Sequence, residues 1–199
     1  MPPERDLAAF DARATSYETG WLGRLHHDIA QRTATLAADT CPGAQRILDV
    51  GCGTGYLLRR LAERYPDATE LVGVDPAPNM VEVATTTASD DRLSFALATA
   101  EHLPYPDNHF DLVVSTTSFD HWSNQAAGLG ECARVLRSGG QLVLVDQFSA
   151  WLAPTLLAGR RGKARTRQRC NRLLQGAGFG SLAWHHLYAV IINAVTATA

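Results

Sequence analysis

The chain has 199 residues, enough for one domain with a substantial buried core and no need of disulfide or metal staples. Its formal charge of −2, from 18 basic and 20 acidic side chains, argues against global attraction to nucleic acid or to an anionic membrane. No apolar run approaches the roughly 20 residues that span a bilayer, the N-terminus lacks a basic stretch followed by an apolar one, and the four cysteines are scattered without CxxC or His/Cys spacing. A cytoplasmic protein with reduced thiols and no metal site is expected.

Residues 1–40 read as an N-terminal helical lid, with Leu22, Leu25, Ile29, Ala30 and Leu36 in a helical stripe that Cys41-Pro42-Gly43 ends. A regular alternation fills 44–199. Strand 46–50 leads into a glycine turn and a helix through about 65, whose Leu57, Leu58, Leu61 and Ala62 share one face. Strand 70–75 precedes a helix starting near Pro78-Asn79, proline being tolerated in a first turn. Strand 93–98 precedes a loop from His102 to His109, and strand 110–115 precedes a helix near 124–137. Arg137-Ser138-Gly139-Gly140 suits the end of that helix, where basic residues meet the dipole and glycine takes the left-handed cap.

Strand 141–146, with its apolar Leu142-Val143-Leu144-Val145, reads as a central strand covered on both faces. A basic helix near 164–176 stops at Gly176-Ala177-Gly178, and Phe179 to Thr198 reads as two strands with no helix between them. The prediction is a single α/β domain with a mostly parallel sheet, helices on both faces and a C-terminal antiparallel hairpin.

The most informative stretch is Ile47-Leu48-Asp49-Val50-Gly51-Cys52-Gly53-Thr54-Gly55, an apolar strand running into glycine at every second position. It differs from the G-x-G-x-x-G dinucleotide fingerprint, whose third glycine lies one residue further on. The shared physics is close approach, because without Cβ atoms the backbone can touch a ligand. Asp75 closes the next strand, placed to accept both hydroxyls of a ribose, and Asp49 is placed to attract a cationic amino group. Together these residues describe a site for a sulfonium nucleoside.

Further motifs follow in order: Val74-Asp75-Pro76-Ala77-Pro78-Asn79-Met80, Ala100-Glu101-His102-Leu103-Pro104-Tyr105-Pro106-Asp107, Phe110-Asp111-Leu112-Val113-Val114-Ser115 and Ala133-Arg134-Val135-Leu136-Arg137-Ser138-Gly139-Gly140. With the glycine turn, they make about residues 7–180 resemble a class I S-adenosylmethionine-dependent methyltransferase of the methyltransferase type 11, or UbiE-like, group. The resemblance implies a Rossmann-like seven-stranded sheet and S-adenosylmethionine as cofactor. It further implies that Gly51, Cys52 and Gly53 meet the methionine moiety, and that Asp75 holds the ribose. Pro76 and Met80 would flank the adenine, Thr99, Ala100 and Glu101 would read its edge, and Ser115 and Thr116 would help hold the methionyl amine. Phe10 to Tyr17 is similar to the family's lid segment, in which the position of Tyr17 contacts the cofactor.

Two departures stand out. Thr99 replaces a common aspartate, so the adenine amino group would meet a hydroxyl and bind more weakly. Asp120-His121-Trp122 replaces His-His-Trp after the fourth strand, beside the methyl donor, so a substrate is not inherited with the fold.

Methyl transfer from a sulfonium chiefly requires alignment and exclusion of water. A general base is needed where the acceptor holds its proton at neutral pH, and His121 is the candidate, with Asp120 to orient it or act instead. His26-His27 and His185-His186 carry less, having no metal-ligand spacing. Arg160, Arg161, Lys163, Arg165, Arg167, Arg169 and Arg172 crowd one region, either a phosphate-binding patch or a solvated face. The leading expectation is methylation of a small molecule, in a pocket left open or completed by a second subunit of a homodimer. The alternatives are RNA or protein methylation, or a non-catalytic cofactor-binding module.

Overall fold

The computed structural model describes residues 20–148, 166–188 and 192–199, together with residues 8, 11, 12 and 14. The elements are α1 (Gly20–Thr40), β1 (Arg46–Val50), α2 (Tyr56–Arg64), β2 (Glu70–Asp75), α3 (Pro78–Thr87), β3 (Leu93–Leu97), β4 (Phe110–Thr116), a short 3-10 turn (Phe119–His121), α4 (Gln125–Val135), β5 (Leu136–Gln147), α5 (Arg167–Gly176), β6 (Gly180–Tyr188) and β7 (Ile192–Thr198). Seven strands form one sheet in the order β3-β2-β1-β4-β5-β7-β6. The first five are parallel, and β7 runs antiparallel to both β5 and β6. The fold is therefore the Rossmann-like sheet with a C-terminal antiparallel hairpin.

Strand alternation decides what each face receives. Leu48 and Val50 of β1 point into a core shared with Leu129 and Val135 of α4 and with Cys170 and Leu174 of α5. Ile47 points the other way, into a core with Ile29 and Ala34 of α1 and with Leu57 and Leu61 of α2. Both faces of the central strands are thereby covered, which is why they read as continuous apolar runs. The same alternation puts Asp49 on the face of Ile47, beneath α1 and α2.

One set of polar cross-links gathers at the N-terminal ends of the parallel strands. Arg92, just before β3, donates to Ala62 O, Tyr65 O, Pro66 O and Ala68 O at 2.8–3.2 Å and pairs with Asp90. It thus satisfies carbonyls left open at the end of α2. Arg134 ties Leu103 O and Tyr105 O to Glu131 and Asp107, and buried Asp111 accepts from Gln45 N and Arg46 N. Replacing Arg92 with Ala should lower unfolding free energy by about 2 kcal/mol, the loss of charge-assisted bonds to partly buried carbonyls. Urea denaturation would read it, and an unchanged midpoint would refute the capping role.

Two boundaries depart from the sequence expectation. The helix expected near 124–137 stops at Val135, and β5 begins at Leu136 instead of at 141. Leu136 is drawn into the core, Arg137 reaches Asp111 at 2.7 Å, and Gly139 N donates to Ala199 O. Glycine and arginine here serve a bulged extended segment instead of a helix cap, since tertiary partners outweigh local propensity. The basic helix expected from 164 begins at Arg167, where the Thr166 side chain accepts from Arg169 N; residues 164 and 165 lie outside the described residues.

Candidate active site

The strand order reverses between β1 and β4, so the loops leaving their C-terminal ends diverge and open a crevice, the usual ligand site of an open α/β sheet. A cleft of about 820 Å³ lies there, lined by the glycine turn, by Asp75, Pro76, Ala77 and Met80, by 98–101 and by 116–118 and 121–123.

Gly51, Gly53 and Gly55 all have positive φ. Gly51 shows why only glycine fits: at φ 78° a Cβ would lie 2.3 Å from Ser118 Oγ. The Ser118 hydroxyl donates to Val50 O at 3.0 Å, meets Ser115 Oγ at 2.8 Å and accepts from Trp122 Nε1 at 3.3 Å. It joins the glycine turn to the segment after β4. Sequence reasoning passed over Ser118, because a serine in a loop carries no spacing signal and its importance arises only from this packing. Trp122, which the same bond orients, lies against Gly128 of α4, where a Cβ would meet the indole at 2.5 Å.

Asp75 accepts from Gly53 N and Ala77 N, both at 2.9 Å, one on each carboxylate oxygen. Four acceptor positions on a carboxylate leave capacity for further hydroxyl donors from the cleft. Burial raises its pKa, the two backbone N–H groups offset part of that rise, and Asp11 adds to it. Pro76, Met80, Thr99, Ala100 and Glu101 all line the cleft with it. Glu101 also accepts from Asn124 N at 2.8 Å, tying that wall to the start of α4. Asp11 of the N-terminal segment accepts from Asn79 N at 2.7 Å, and Ala14 packs on Ala77 and Met80. Tyr17 lies outside the described residues.

After β4 the predicted residues separate. Thr116 and His121 line the cleft. Ser115 is fully buried beneath it, bonded to Ser118. Asp120 is not among the cleft-lining residues; its backbone N–H donates to Asp146 at 3.0 Å, which anchors the turn to β5.

Asp49 does not line this cleft. It lines a second cavity behind the glycine turn, with His26, His27, Cys52, Tyr56 and Thr116 among its walls. Asp49 is 1% exposed and neither carboxylate oxygen has a hydrogen-bond partner. Burial, and then the charge of Asp75, push its pKa up to about 8. An orphaned buried acid is costly unless something cationic completes it. Burial also drives the Cys52 thiol far up, so it stays protonated. The histidine pair, expected to carry little, thus belongs to the site's surroundings. Among the described residues no three His, Cys, Asp or Glu side chains are grouped to hold a metal ion.

This geometry meets its match in known proteins. A methyltransferase domain model matches residues 48–144, from the glycine turn to the middle of β5. The chain is 34% identical over 135 residues to malonyl-[acyl-carrier protein] O-methyltransferase of Hahella chejuensis, covering 68% of this chain and 47% of that one. It is 32% identical over 158 residues to the ubiquinone/menaquinone biosynthesis C-methyltransferase UbiE of a Geobacter species, covering 77% and 66%.

The chain belongs to the class I S-adenosylmethionine-dependent methyltransferases, in the UbiE-like group. Its cofactor is S-adenosylmethionine. A Haloferax volcanii protein solved in complex with the Trm112 methyltransferase activator superimposes with a TM-score of 0.76 over 96% of this chain and 97% of that chain, and at 21% identity this speaks for the fold alone. The chain spans about half the length of the curated relatives it matches. No helix among its described residues is long and apolar enough to cross a membrane.

Proposed function

We propose that this methyltransferase transfers the methyl group of S-adenosylmethionine to a small-molecule acceptor that enters beside His121 and Trp122. The observation that carries the reading is the pair of buried acids flanking one glycine turn, Asp75 bonded at the cleft and Asp49 left without a partner behind it. Two acids of this kind suit a ligand with hydroxyls at one end and a cation at the other. The names of the Hahella and Geobacter relatives, one acting on a malonyl group of an acyl-carrier protein and one in ubiquinone/menaquinone biosynthesis, support the acceptor class.

Asp75 would hold the ribose hydroxyls, with Met80 and Pro76 against the base and Thr99 to Glu101 at its edge. Gly51 and Gly53 allow the backbone to approach, and Asp49 attracts the amino group. When bound, the sulfonium supplies an electrophilic methyl group and leaves as a neutral thioether. Trp122, fixed through Ser118 and Gly128, walls the cleft and excludes water from the transfer. His121 takes a proton from an acceptor that carries one. The balanced net charge supports an enzyme with no nucleic-acid partner, and four free cysteines support a cytoplasmic setting. Arg167, one of the crowded arginines, is engaged with Asn193 at 2.8 Å and stacks over Trp184, which favours a structural role for that part of the cluster.

Incubation with methyl-labelled S-adenosylmethionine and a fractionated cell extract tests the reading. Label should accumulate in the low-mass fraction. Label confined to RNA or protein would overturn the acceptor class, and no label despite cofactor binding would favour a binding module.

A further inference from the structure

The net charge of −2 conceals a strong segregation. All 20 acidic side chains lie within residues 1–146, whereas residues 147–199 hold no acid and seven of the 18 basic side chains. Those seven run from Arg160 to Arg172, and the last three stand on α5. The helix is fixed from its inner side. Cys170 and Leu174 are buried in the core, Arg167 donates to Asn193 at 2.8 Å and lies over the Trp184 ring, and Trp184 Nε1 donates to Asn171 at 2.9 Å. Asn193 in turn pairs with Asp146 across the sheet and donates to Phe148 O at 2.7 Å, which holds the start of α5 at the C-terminal pole of the parallel strands. Arg169 and Arg172 take no part in this anchoring. They line an open groove with Thr166, Gln168 and Leu173, and among the described residues neither guanidinium has a hydrogen bond or ion pair. Like charges one turn apart repel, and the helix carries no acid to relieve them.

Such a face is complemented by an anion from outside the chain, and the neighbouring sequence indicates which. Residues 149–159 are uncharged and include Trp151, Leu152, Leu156 and Leu157, directly before the basic run. They lie outside the described residues, and the surface in question is that of α5 alone. An apolar stretch joined to a polybasic one is the composition that settles on a bilayer, the first suited to the interface and the second to anionic headgroups. A nucleic acid would want aromatic side chains among the basic ones for its bases to stack on, and none stands between Arg160 and Gln175. We propose that the outer face of α5, through Arg169 and Arg172, docks on an anionic phospholipid surface. Each guanidinium offers forked N–H donors to a headgroup phosphate. The balanced total charge excludes a global attraction and not this local one. Docking goes beyond the proposed methyl transfer and does not depend on it, because it needs neither cofactor nor acceptor.

Sedimentation of the full chain with lipid vesicles tests the proposal. The chain should bind vesicles of equimolar phosphatidylcholine and phosphatidylglycerol, bind phosphatidylcholine alone at least about tenfold more weakly, and be released as salt rises. Arg169→Gln/Arg172→Gln should lose at least about tenfold on the mixed vesicles, since each basic residue near an anionic surface is worth about fivefold. Arg24→Gln/Arg64→Gln removes the same charge from exposed sites on α1 and α2. It should stay within about twofold of wild type, because charges away from the contact are screened. Thermal midpoints are measured alongside, and Arg172→Gln alone should lose about fivefold if the double variant does not fold. Cofactor affinity should be unchanged in every variant, so failure of the docking leaves the methyl transfer standing. Absence of wild-type binding to the mixed vesicles, equal binding to both vesicle types, or equal losses in the two double variants overturns the proposal. Binding of a single-stranded RNA that Arg169→Gln/Arg172→Gln abolishes, with vesicle binding untouched, assigns the face to nucleic acid and overturns the lipid surface.

Discussion

Asp49→Asn should stabilise the ligand-free protein, and the gain should grow from pH 4 to pH 8. The carboxyl of Asp49 is raised to about 8 in the folded chain by burial and by Asp75, against an ordinary aspartate near 4 when unfolded. A carboxylate whose folded pKa is raised costs nothing below its unfolded value, where both states are protonated. Between the two values the unfolded chain ionises and the folded one does not, so stability falls with rising pH, and above about 8 the full penalty stands. Four units correspond to an upper bound on the order of 5 kcal/mol. The asparagine keeps the shape and removes the ionisation.

The readout is the difference in thermal midpoint between variant and wild type, taken across this window. Asp75, Cys52, His26 and His27 surround the group, so the comparison is repeated in the His26→Gln/His27→Gln background to remove imidazole titration. A difference that is flat with pH would show that Asp49 ionises normally. The same substitution should weaken S-adenosylhomocysteine binding at pH 8 by more than about tenfold, because an amide offers the ammonium no charge. At pH 7 wild-type binding should release close to one proton, seen as a buffer-dependent calorimetric enthalpy, and the variant should release none.

Gly51→Ala should damage both stability and cofactor binding. The residue has φ 78°, a conformation that costs a residue with a Cβ roughly 1 kcal/mol. The added methyl would sit 2.3 Å from Ser118 Oγ and 2.4 Å from Ser118 Cβ, so one side of the contact has to move. Overpacking of this kind costs about 1–3 kcal/mol more. Moving Ser118 breaks its bonds to Val50 O and Trp122, so the wall of the cleft shifts with the turn. Cofactor affinity should fall by at least about tenfold.

The control is a double-mutant cycle, with Ser118→Gly emptying the space that the methyl needs. The two changes together should cost clearly less than the sum of the two alone, since they meet in one contact. Strict additivity in urea denaturation would mean that backbone conformation, and not the clash, governs the position.

Much of this was legible in the sequence because it rests on local rules. Alternating strands and helices, the glycine spacing and the acid closing β2 follow from periodicity and from the approach that only glycine permits. What stayed hidden depends on elements distant in the chain. The end of α4 was obscured because Arg137 and Gly139 suit a helix cap locally, whereas Asp111 and Ala199 recruit them to a strand. Ser118 has no motif of its own; it matters because the turn after β4 folds back over Gly51. The sequence shows Asp49 as an acid beside the glycines. That it faces a cavity apart from Asp75, among two histidines of α1, needed the packing of α1 on the sheet. Ser115 and Asp120 lie in the expected stretch, but one sits beneath the cleft and the other is absent from its lining.

The arginine and aspartate clasps lie at the N-terminal ends of the parallel strands, and the cleft lies at their C-terminal ends. These clasps and the walls of the cleft therefore lie at opposite poles of one sheet. Positions such as His121 and Ser123 border the cleft without belonging to any of those clasps. New acceptors can be sampled there by single substitutions that leave the clasps intact, and a scaffold divided in this way can change its chemistry faster than its shape.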